Sequence, residues 1–429
     1  MLDLKLLREQ PEMIRDALAR RGGTVALEPL LAKEKARRRL LTELEQRRSE
    51  QNKASEAFGR ECAAARQGGA QANTPPTLPP AHLKALAEQV KRAEQQLKQL
   101  EEQMAQDLAL VPNLPHASVP VGDATANQIV RTVGSKPTLA GSPKTHLELA
   151  QRLRLMDFER AAKITGSHFP LFTGMGARLE RALILWMLDV QTKEHGYTEI
   201  APPLLVNRAS MFSTGQLPKF EEDMYRLKDD DLFLVPTAEV PVTNLHRDEI
   251  LEEAVLPLRY TASTACFRRE AGSYGKETKG LIRVHQFDKV ELVKFVRPET
   301  SYDELDTLVQ DAETILRRLG LHYRVVSLAT GDLSFAAAKC YDPEAWAPGL
   351  GQFLEVSSCS NFEAFQARRA NIRYRQASTK NVAHVHTLNG SGVALARTLI
   401  CLLETHQRPD GRVVIPEPLR PYLDGQDLL

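Results

Sequence analysis

Residues Thr264–Phe295 read TACFRREAGSYGKETKGLIRVHQFDKVELVKF and predict two β-strands joined by a polar, glycine-rich loop. The first arm runs through Cys266–Glu270 and stops where Ala271 and Gly272 follow it. The second arm, Ile282–Phe295, is rich in the β-branched and aromatic residues that strands favour. Because hairpins and neighbouring strands dominate over strand–helix alternation around this stretch, we expect an antiparallel sheet with flanking helices, an α+β fold.

The predicted hairpin has one charged face. Side chains alternate between the faces of a strand, so Arg268 and Glu270 share a face of the first arm. Arg283, Phe287 and Glu291 share a face of the second arm. A solvated face is the commoner explanation for charged strand residues, but the opposite face of the second arm already supplies a core: Val284, Val290 and Leu292. The charged face therefore indicates a ligand, one with phosphates and a flat ring.

Length and charge set broad limits. A chain of 429 residues, 42% of them hydrophobic, has room for two or three domains with a sizeable core. Lys and Arg number 56 against 55 Asp and Glu, so any nucleic-acid contact must come from a local basic patch.

Cysteine usage and the first residues bear on location. The five cysteines include no CxxC pair, which predicts reduced thiols rather than a disulfide frame or a zinc site. The first twenty residues predict a charged amphipathic helix rather than a signal peptide. No apolar run is long enough for a membrane helix, so we expect a cytoplasmic protein without a membrane partner.

The first 111 residues predict a separate N-terminal domain with a long helical arm. Two helical runs, about 26–67 and 81–111, flank the stretch Gly68–Pro80 (GGAQANTPPTLPP), which no helix can cross. In the second run the gaps between apolar residues alternate almost throughout between three and four: Leu83, Leu86, Val90, Ala93, Leu97, Leu100, Met104, Leu108 and Val111. This spacing is typical of a coiled coil, and we expect two antiparallel helices.

The first helix of this arm is rich in basic residues, among them Arg37, Arg38, Arg47, Arg48, Lys53 and Arg60. Such a stripe with interspersed acids can follow a phosphate backbone. Solvated charged faces look much the same, and coiled coils more often serve as spacers or dimerisation elements. Taken alone, the stripe leaves these alternatives open.

Residues 112–143 predict a linker, and residues 144–429 predict the main domain. In that domain, Arg178–His195 predicts an apolar helix, and the stretch His386–Gly392 predicts a turn that opens a helix from Val393 onward. No GxxxxGK[ST] or GxGxxG loop is present, so phosphate binding must fall to arginines such as Arg268 and Arg397. On an apolar helix, Arg397 either snorkels to the surface or reaches a buried anion.

Three segments resemble the three motifs of class II aminoacyl-tRNA synthetases: the helix and strand that end at Pro202-Pro203, the FRRE arm with its partner strand, and the glycine-rich segment before Arg397. The whole chain is similar to bacterial seryl-tRNA synthetases. The segments that carry this resemblance are TAE (237–239), the 272–291 loop and strand, EVSSCSN (355–361), FQARRANIRYR (365–375) and HTLNGSG (386–392).

The resemblance implies a set of site residues. Arg268, Arg397 and Glu270 would be catalytic: Arg268 at the α-phosphate, Arg397 at the γ-phosphate and Glu270 at the adenine. Serine would contact Thr237, Ala238, Glu239, Arg268, Glu291, Asn389 and Ser391. ATP would contact Arg268, Arg269, Glu270, Val284, Phe287, Glu355, Val356, Ser357, Ser358 and Arg397. Glu355 and Ser358 would ligate Mg²⁺, and no zinc is expected. Arg37, Arg38, Arg47, Arg48, Lys53 and Arg60 would bind tRNA.

The implied function is ATP-dependent ligation of L-serine to tRNA(Ser), and to tRNA(Sec) where present, through seryl-adenylate. The resemblance also implies a class II sheet, a homodimer, and an arm that contacts the long variable arm of the tRNA while the acceptor end reaches the catalytic domain. One alternative is a paralogue that activates serine or glycine for a carrier protein or a biosynthetic pathway. Another is a non-catalytic RNA-binding paralogue. The long arm argues against a carrier-protein enzyme, and the intact charged site argues against a non-catalytic protein.

Overall fold

The structure, a computed structural model, describes residues 1–23, 26–67, 80–270 and 280–429. Most of the predicted arm tip (68–79) and the predicted hairpin loop (271–279) lie outside the described residues. The chain divides into two compact units. We call them the helical unit, which comprises Asp3–Arg15 and Thr24–Val111, and the sheet unit, which comprises Met1–Leu2, Asp16–Gly23 and Pro112–Leu429.

The described helices are α1 (Leu4–Glu9), α2 (Pro11–Arg20), α3 (Glu28–Gln67), α4 (Pro80–Ala109), α5 (His146–Leu153), α6 (Phe158–Thr165), α7 (Met175–Lys193), α8 (Arg208–Thr214), α9 (Glu239–Thr243), α10 (Ser301–Arg318), α11 (Phe365–Ala370) and α12 (Leu395–Thr405). The described strands are β1 (Gln128–Val133), β2 (Thr198–Glu199), β3 (Leu205–Asn207), β4 (Leu232–Leu234), β5 (Ile250–Glu252), β6 (Leu258–Phe267), β7 (Gln286–Val296), β8 (Tyr323–Ser327), β9 (Lys339–Ala347), β10 (Gln352–Glu355), β11 (Cys359–Asn361), β12 (Arg373–Arg375), β13 (Val382–His384) and β14 (His386–Ala394). None of the helices in these ranges combines the length and the apolar character needed to cross a membrane.

Helices α3 and α4 pair side by side in the helical unit. Leu44 of α3 is buried against Val90 and Ala93 of α4. Ion pairs between the helices join ever later residues of α3 to ever earlier residues of α4: Lys33–Asp107, Arg37–Glu101 and Arg48–Glu94. This order shows that the helices run antiparallel, so the predicted two-helix coiled-coil arm is confirmed.

The sheet unit is built on one large sheet. Among the described residues its strand order is β1-β8-β9-β11-β14-β7-β6-β2, with β10 paired to β9. Neighbouring strands are antiparallel except for β2 and β6. Helices α7, α10 and α12 pack on the sheet and bury its main apolar cluster. The predicted antiparallel sheet flanked by helices is therefore confirmed.

The hairpin differs from the prediction at its strand ends. β6 stops at Phe267 and β7 begins at Gln286, so Arg268, Glu270 and Arg283 lie beyond the paired strands. The prediction that strand alternation places these three side chains is wrong. Glu270 instead has a left-handed backbone, with φ of 50°. The alternation prediction is right within β7, where Phe287 and Glu291 share a face and Val290 and Leu292 of the other face are buried. Val284, the third predicted core residue, is also buried, although it precedes β7.

The glycine-rich stretch His386–Gly392 is not a turn, because it forms most of the central strand β14. Gly390 of this strand packs against β11 and α10. A Cβ atom at Gly390 would lie 2.9 Å from the Cys359 sulfur and 3.2 Å from Leu308 Cγ. The sequence therefore requires glycine here for a close approach between layers, and not for chain reversal.

We expect Gly390→Ala to destabilise the sheet unit by about 1–3 kcal/mol, because the added methyl group must displace the Cys359 sulfur or α10. Thermal unfolding followed by tryptophan fluorescence checks this, since both tryptophans, Trp186 and Trp346, lie in the sheet unit. Gly59→Ala is the control, because a Cβ atom at Gly59 meets nothing within 4 Å. An unchanged unfolding midpoint for Gly390→Ala would contradict the packing argument.

Candidate active site

A cavity of about 660 Å³ lies beside β7 and β14 in the sheet unit. It collects most of the site residues expected from the sequence: Thr237, Glu239, Arg268, Glu270, Val284, Phe287, Glu291, Glu355, Ser358, Asn389, Ser391 and Arg397. These residues come from several strands, from helices α9 and α12 and from the segments before α9 and β7. The fold therefore brings together positions up to 160 residues apart (237 to 397).

Four expected residues do not line the cavity: Ala238, Arg269, Val356 and Ser357. Ala238 and Val356 are buried in apolar clusters. Ser357 donates a hydrogen bond of 2.6 Å to the backbone oxygen of Ser391 and so supports a neighbouring cavity residue. Arg269 is exposed, and its backbone N–H donates to Asp223.

One end of the cavity holds a buried ion pair. Glu291 is 1% exposed, and its carboxylate accepts hydrogen bonds from the Thr237 hydroxyl at 2.6 Å and the Asn389 amide at 3.3 Å. The ammonium group of Lys289 pairs with this carboxylate and donates to the Thr237 hydroxyl oxygen at 2.8 Å. The sequence analysis missed Lys289, although it precedes Glu291 by two residues and alternation places both on one face of β7.

Glu239 lies at the same end of the cavity. Burial, and secondly the charge of Glu291, raise the pKa of Glu239 to about 7. Gln366 opposes this rise, because its amide donates a hydrogen bond of 2.6 Å to the Glu239 carboxylate. Sequence reasoning missed this role of Gln366, since nothing in the sequence links two residues that lie 127 positions apart.

Arg268 is held by its backbone and its side chain. Its backbone N–H donates to the oxygen of His285 at 2.9 Å, and its backbone oxygen contacts His285 Nδ1 at 2.8 Å. Its Nε donates to the oxygen of Pro236 at 3.2 Å, and its guanidinium carbon lies 5.3 Å from the centre of the Phe287 ring. The cation and the aromatic ring therefore stand together, in the combination that suits a phosphate next to a flat base.

Arg397 faces the cavity from α12. Its guanidinium group pairs with the Glu355 carboxylate at 3.3 Å and donates to the Glu355 backbone oxygen at 2.9 Å. Its Nε donates to the backbone oxygen of Ile282 at 3.4 Å. These contacts fix the cation where it can meet an anion, which favours ligand binding over snorkelling.

Near Glu355 lies a second acid that the sequence analysis did not name. Burial, and secondly the charge of Glu355, raise the pKa of Asp342 to about 8. The Ser358 hydroxyl lies 3.1 Å from the Cys340 sulfur, and Cys340 lies 3.2 Å from Asp342. Carboxylate and hydroxyl oxygens therefore gather around the position at which the resemblance implies magnesium.

A buried hydrogen-bond network supports the backbone beside Arg397. Glu404 of α12 is fully buried and accepts hydrogen bonds from the backbone N–H groups of His146, Gly349 and Leu350. One of its oxygens also lies 3.0 Å from His146 Nδ1, and His146 Nε2 accepts from the backbone N–H of Leu281 at 3.4 Å. Because Leu281 precedes Ile282, this chain of bonds fixes the backbone oxygen to which Arg397 donates.

The predicted tRNA-binding residues all lie on α3, but they do not share one face. Arg38, Arg48, Lys53 and Arg60 are exposed, whereas Arg37 and Arg47 are half-buried. The ion pairs of Arg37 and Arg48 reach across to α4.

Comparisons with known proteins agree with this geometry. The model of the class II tRNA synthetase core domain (G, H, P, S and T) matches residues 219–406, and that of the seryl-tRNA synthetase N-terminal domain matches residues 1–115. The chain is 53% identical to the serine–tRNA ligase of Syntrophobacter fumaroxidans over 99% of this chain and 98% of that protein. It is 52% identical to the serine–tRNA ligase of Geobacillus kaustophilus over 100% of both chains.

Among solved structures, the crystal structure of seryl-tRNA synthetase from Pyrococcus horikoshii complexed with ATP superposes with a TM-score of 0.90. The two chains are 36% identical, and the match covers 100% of this chain and 99% of that one. The antiparallel sheet and the core-domain match define a class II aminoacyl-tRNA synthetase. Within that class, the chain belongs to the seryl-tRNA synthetase family.

We expect His146→Asn, which keeps a donor toward Glu404 but loses the acceptor for Leu281, to raise the KM for ATP by about tenfold, because Ile282 and with it Arg397 lose their support. His146→Gln is the matched variant that keeps an acceptor near the Nε2 position. Steady-state ATP–pyrophosphate exchange measures the KM values of both variants. An equal rise in the KM values for ATP and serine would contradict a role of His146 that is confined to the support of Arg397.

Proposed function

We propose that this chain catalyses the ATP-dependent ligation of L-serine to tRNA(Ser), and to tRNA(Sec) where that tRNA is present, through a seryl-adenylate intermediate. The observation that carries the proposal is the polarity of the cavity. The buried carboxylates of Glu239 and Glu291 and the cations of Arg268 and Arg397 line one cavity, and the charge of Arg268 acts on Glu239 while Arg397 pairs with Glu355. A zwitterionic amino acid and a polyphosphate can bind side by side in such a site.

Serine binds at the carboxylate end in this proposal. Glu239 receives the ammonium group, and Glu291 with Ser391 receives the hydroxyl group. Alanine lacks the hydroxyl and cannot make the hydrogen bonds that serine makes to these groups, so the site rejects it. Threonine is excluded by the closure of Thr237 and Ser391 around the serine side chain.

The serine carboxylate then attacks the α-phosphate of ATP in line and releases pyrophosphate. Arg268 stabilises the charge that develops at the α-phosphate, Phe287 stacks on the adenine, and Arg397 holds the γ-phosphate. The 3′-terminal ribose hydroxyl of the tRNA afterwards accepts the seryl group from the adenylate. The site needs no covalent nucleophile, since positioning and charge neutralisation supply the catalysis.

The residues at the phosphate end fit Mg²⁺. Glu355 and Ser358 line the cavity with oxygen donors, next to the acid Asp342. The described residues contain no group of three His, Cys, Asp or Glu side chains that could cage a metal ion. Mg²⁺ commonly takes one or two carboxylates together with substrate phosphates, so Glu355 and Ser358 would hold it through ATP. Bound there, it would neutralise phosphate charge.

We also propose a homodimer that acts in the cytoplasm. Large apolar side chains are exposed in and just after the segment that resembles motif 1: Leu185 of α7 is 47% exposed, and Leu205, two residues beyond the segment, is 42% exposed. Such side chains suit a self-complementary interface with a second copy of the chain. The five cysteines are free thiols, as suits a reducing compartment.

The first experiment is amino-acid-dependent ATP–pyrophosphate exchange with serine, threonine, alanine and glycine. We expect exchange with serine, and at least about 100-fold less with alanine and glycine, because these lack the hydroxyl group that bonds to Glu291 and Ser391. Preference for glycine or alanine would indicate the carrier-type paralogue, and no exchange from folded protein would overturn the enzymatic function.

Two arginine variants test the polarity of the cavity. Arg397→Met should reduce kcat/KM for ATP on the order of 100-fold, because the phosphate loses a charged donor in a site partly closed to water. Arg412→Met is the matched control, since Arg412 pairs with Asp410 outside the cavity and should leave exchange unchanged. Equal losses in both variants would contradict the assignment of Arg397.

Charge reversal tests the role of α3 in tRNA binding. The triple variant Arg38→Glu, Lys53→Glu and Arg60→Glu should lower kcat/KM for charging on the order of 100-fold at low salt, because it opposes the tRNA phosphates. Pyrophosphate exchange should not change, since none of these residues lines the cavity. The same charge change on α4, at Lys84, Lys91 and Lys98, is the control. Equal losses of charging in both triple variants would contradict a specific contribution of α3.

A further inference from the structure

Gln366 of α11 is 1% exposed and makes three side-chain hydrogen bonds. Its Nε2 donates to the Glu239 carboxylate at 2.6 Å and to the backbone oxygen of Thr214 at 3.3 Å. Its Oε1 accepts from the Thr387 hydroxyl at 2.8 Å. Because the Thr214 oxygen can only accept, the amide nitrogen must lie on this side, and both of its hydrogens are used.

Gln366 stands behind the site and does not form part of it. Glu239 lines the cavity, whereas Gln366 does not. Its partners Thr214 and Thr387 lie on α8 and β14, so the amide is fixed by two elements other than α9, which carries Glu239. One carboxylate oxygen of Glu239 is thereby hydrogen-bonded to a fixed amide. The Glu239 carboxylate therefore has only its remaining acceptor sites available for a ligand.

The charges around Glu239 oppose one another. From β7, Glu291 disfavours ionisation of Glu239 while Lys289 favours it, and Arg268 favours it from beyond the end of β6. Gln366 favours ionisation from α11, and Thr237 accepts from the backbone N–H of Glu239 at 3.2 Å. Burial outweighs the favourable groups and brings the pKa of Glu239 to about 7.

We propose that Gln366 is a positioning residue for serine activation, which holds the Glu239 carboxylate in the orientation and the ionised state that receive the substrate ammonium. The inference rests on the proposed function, since it takes an amino acid as the ligand of Glu239. A protonated Glu239 attracts no ammonium, so the KM for serine rises as the pH falls below about 7. Loss of the Gln366 donor raises the pKa of Glu239 further and moves this rise to higher pH.

The test is the pH profile of ATP–pyrophosphate exchange for wild type and Gln366→Met, which keeps the length of the side chain but has no donor. We expect the KM for serine at pH 7.5 to rise about tenfold, with the KM for ATP nearly unchanged and the inflection shifted to higher pH. Gln191→Met is the matched control, because Gln191 is a buried glutamine that bonds to His195 and lies outside the cavity.

Three results would overturn the proposal: KM values for serine and ATP that rise together, an inflection that stays at the wild-type pH, or a loss that Gln191→Met reproduces. Each of these results would show that Gln366 contributes only to the general stability of the core. Gln366→Glu should be more harmful to the KM for serine than Gln366→Met, because it places a second carboxyl group against Glu239.

A substrate-free measurement separates this proposal from the proposed function. The pKa of Glu239 is raised in the folded state, so its ionisation lowers stability as pH rises from its unfolded value through about 7. In Gln366→Met this loss should extend to higher pH, and in the Glu239→Gln background Gln366→Met should leave the pH dependence unchanged. Absence of serine-dependent exchange in wild type would overturn the function alone, whereas identical Tm–pH curves for wild type and Gln366→Met would overturn the role of Gln366.

Discussion

The ion pair between Lys289 and Glu291 is the interaction on which the carboxylate end of the cavity depends. Two carboxylates, Glu239 and Glu291, are buried close enough for the charge of one to raise the pKa of the other. Buried anions are costly unless a cation compensates them, and Lys289 supplies that cation from the same face of β7. The Thr237 hydroxyl ties the pair to the chain before α9, because it donates to Glu291 and accepts from Lys289.

The scaffold around this pair holds β7 from both sides and from behind. β7 is bonded on both sides, to β6 and β14, and its opposite face is buried beneath α7 and α12. Helix α12 contributes two residues, Arg397 and Glu404, to the structure of the other end of the cavity. Arg397 reaches the cavity from its first turn, and Glu404 near its end fastens the backbone of the segment before β7 through His146. The two ends of the site are thus held by separate hydrogen-bond networks on one sheet.

Sequence patterns predicted the elements better than their ends. Periodicity found the arm helices, the antiparallel sheet and the two faces of β7, because these depend on local repeats. Periodicity failed at Arg268 and Glu270, because the length of β6 depends on where its pairing with β7 stops. In addition, glutamate is not a residue type that predicts a left-handed backbone, so the conformation of Glu270 could not be predicted. Gly390 was interpreted as a turn residue. The contacts that require glycine at this position come from β11 and α10, which are distant in the sequence.

Two residues that sequence reasoning missed, Lys289 and Gln366, differ in whether the sequence contains a signal for them. Lys289 carried a signal in the two-residue spacing from Glu291, whereas Gln366 meets Glu239 only through the fold. The cavity they complete combines the buried carboxylates of Glu239 and Glu291 with the cations of Arg268 and Arg397. In the proposed function a serine zwitterion can meet both charges in one orientation, with its ammonium at Glu239 and its carboxylate toward Arg268. The carboxylate is also the nucleophile, so the electrostatics that bind the amino acid place the attacking oxygen against the α-phosphate.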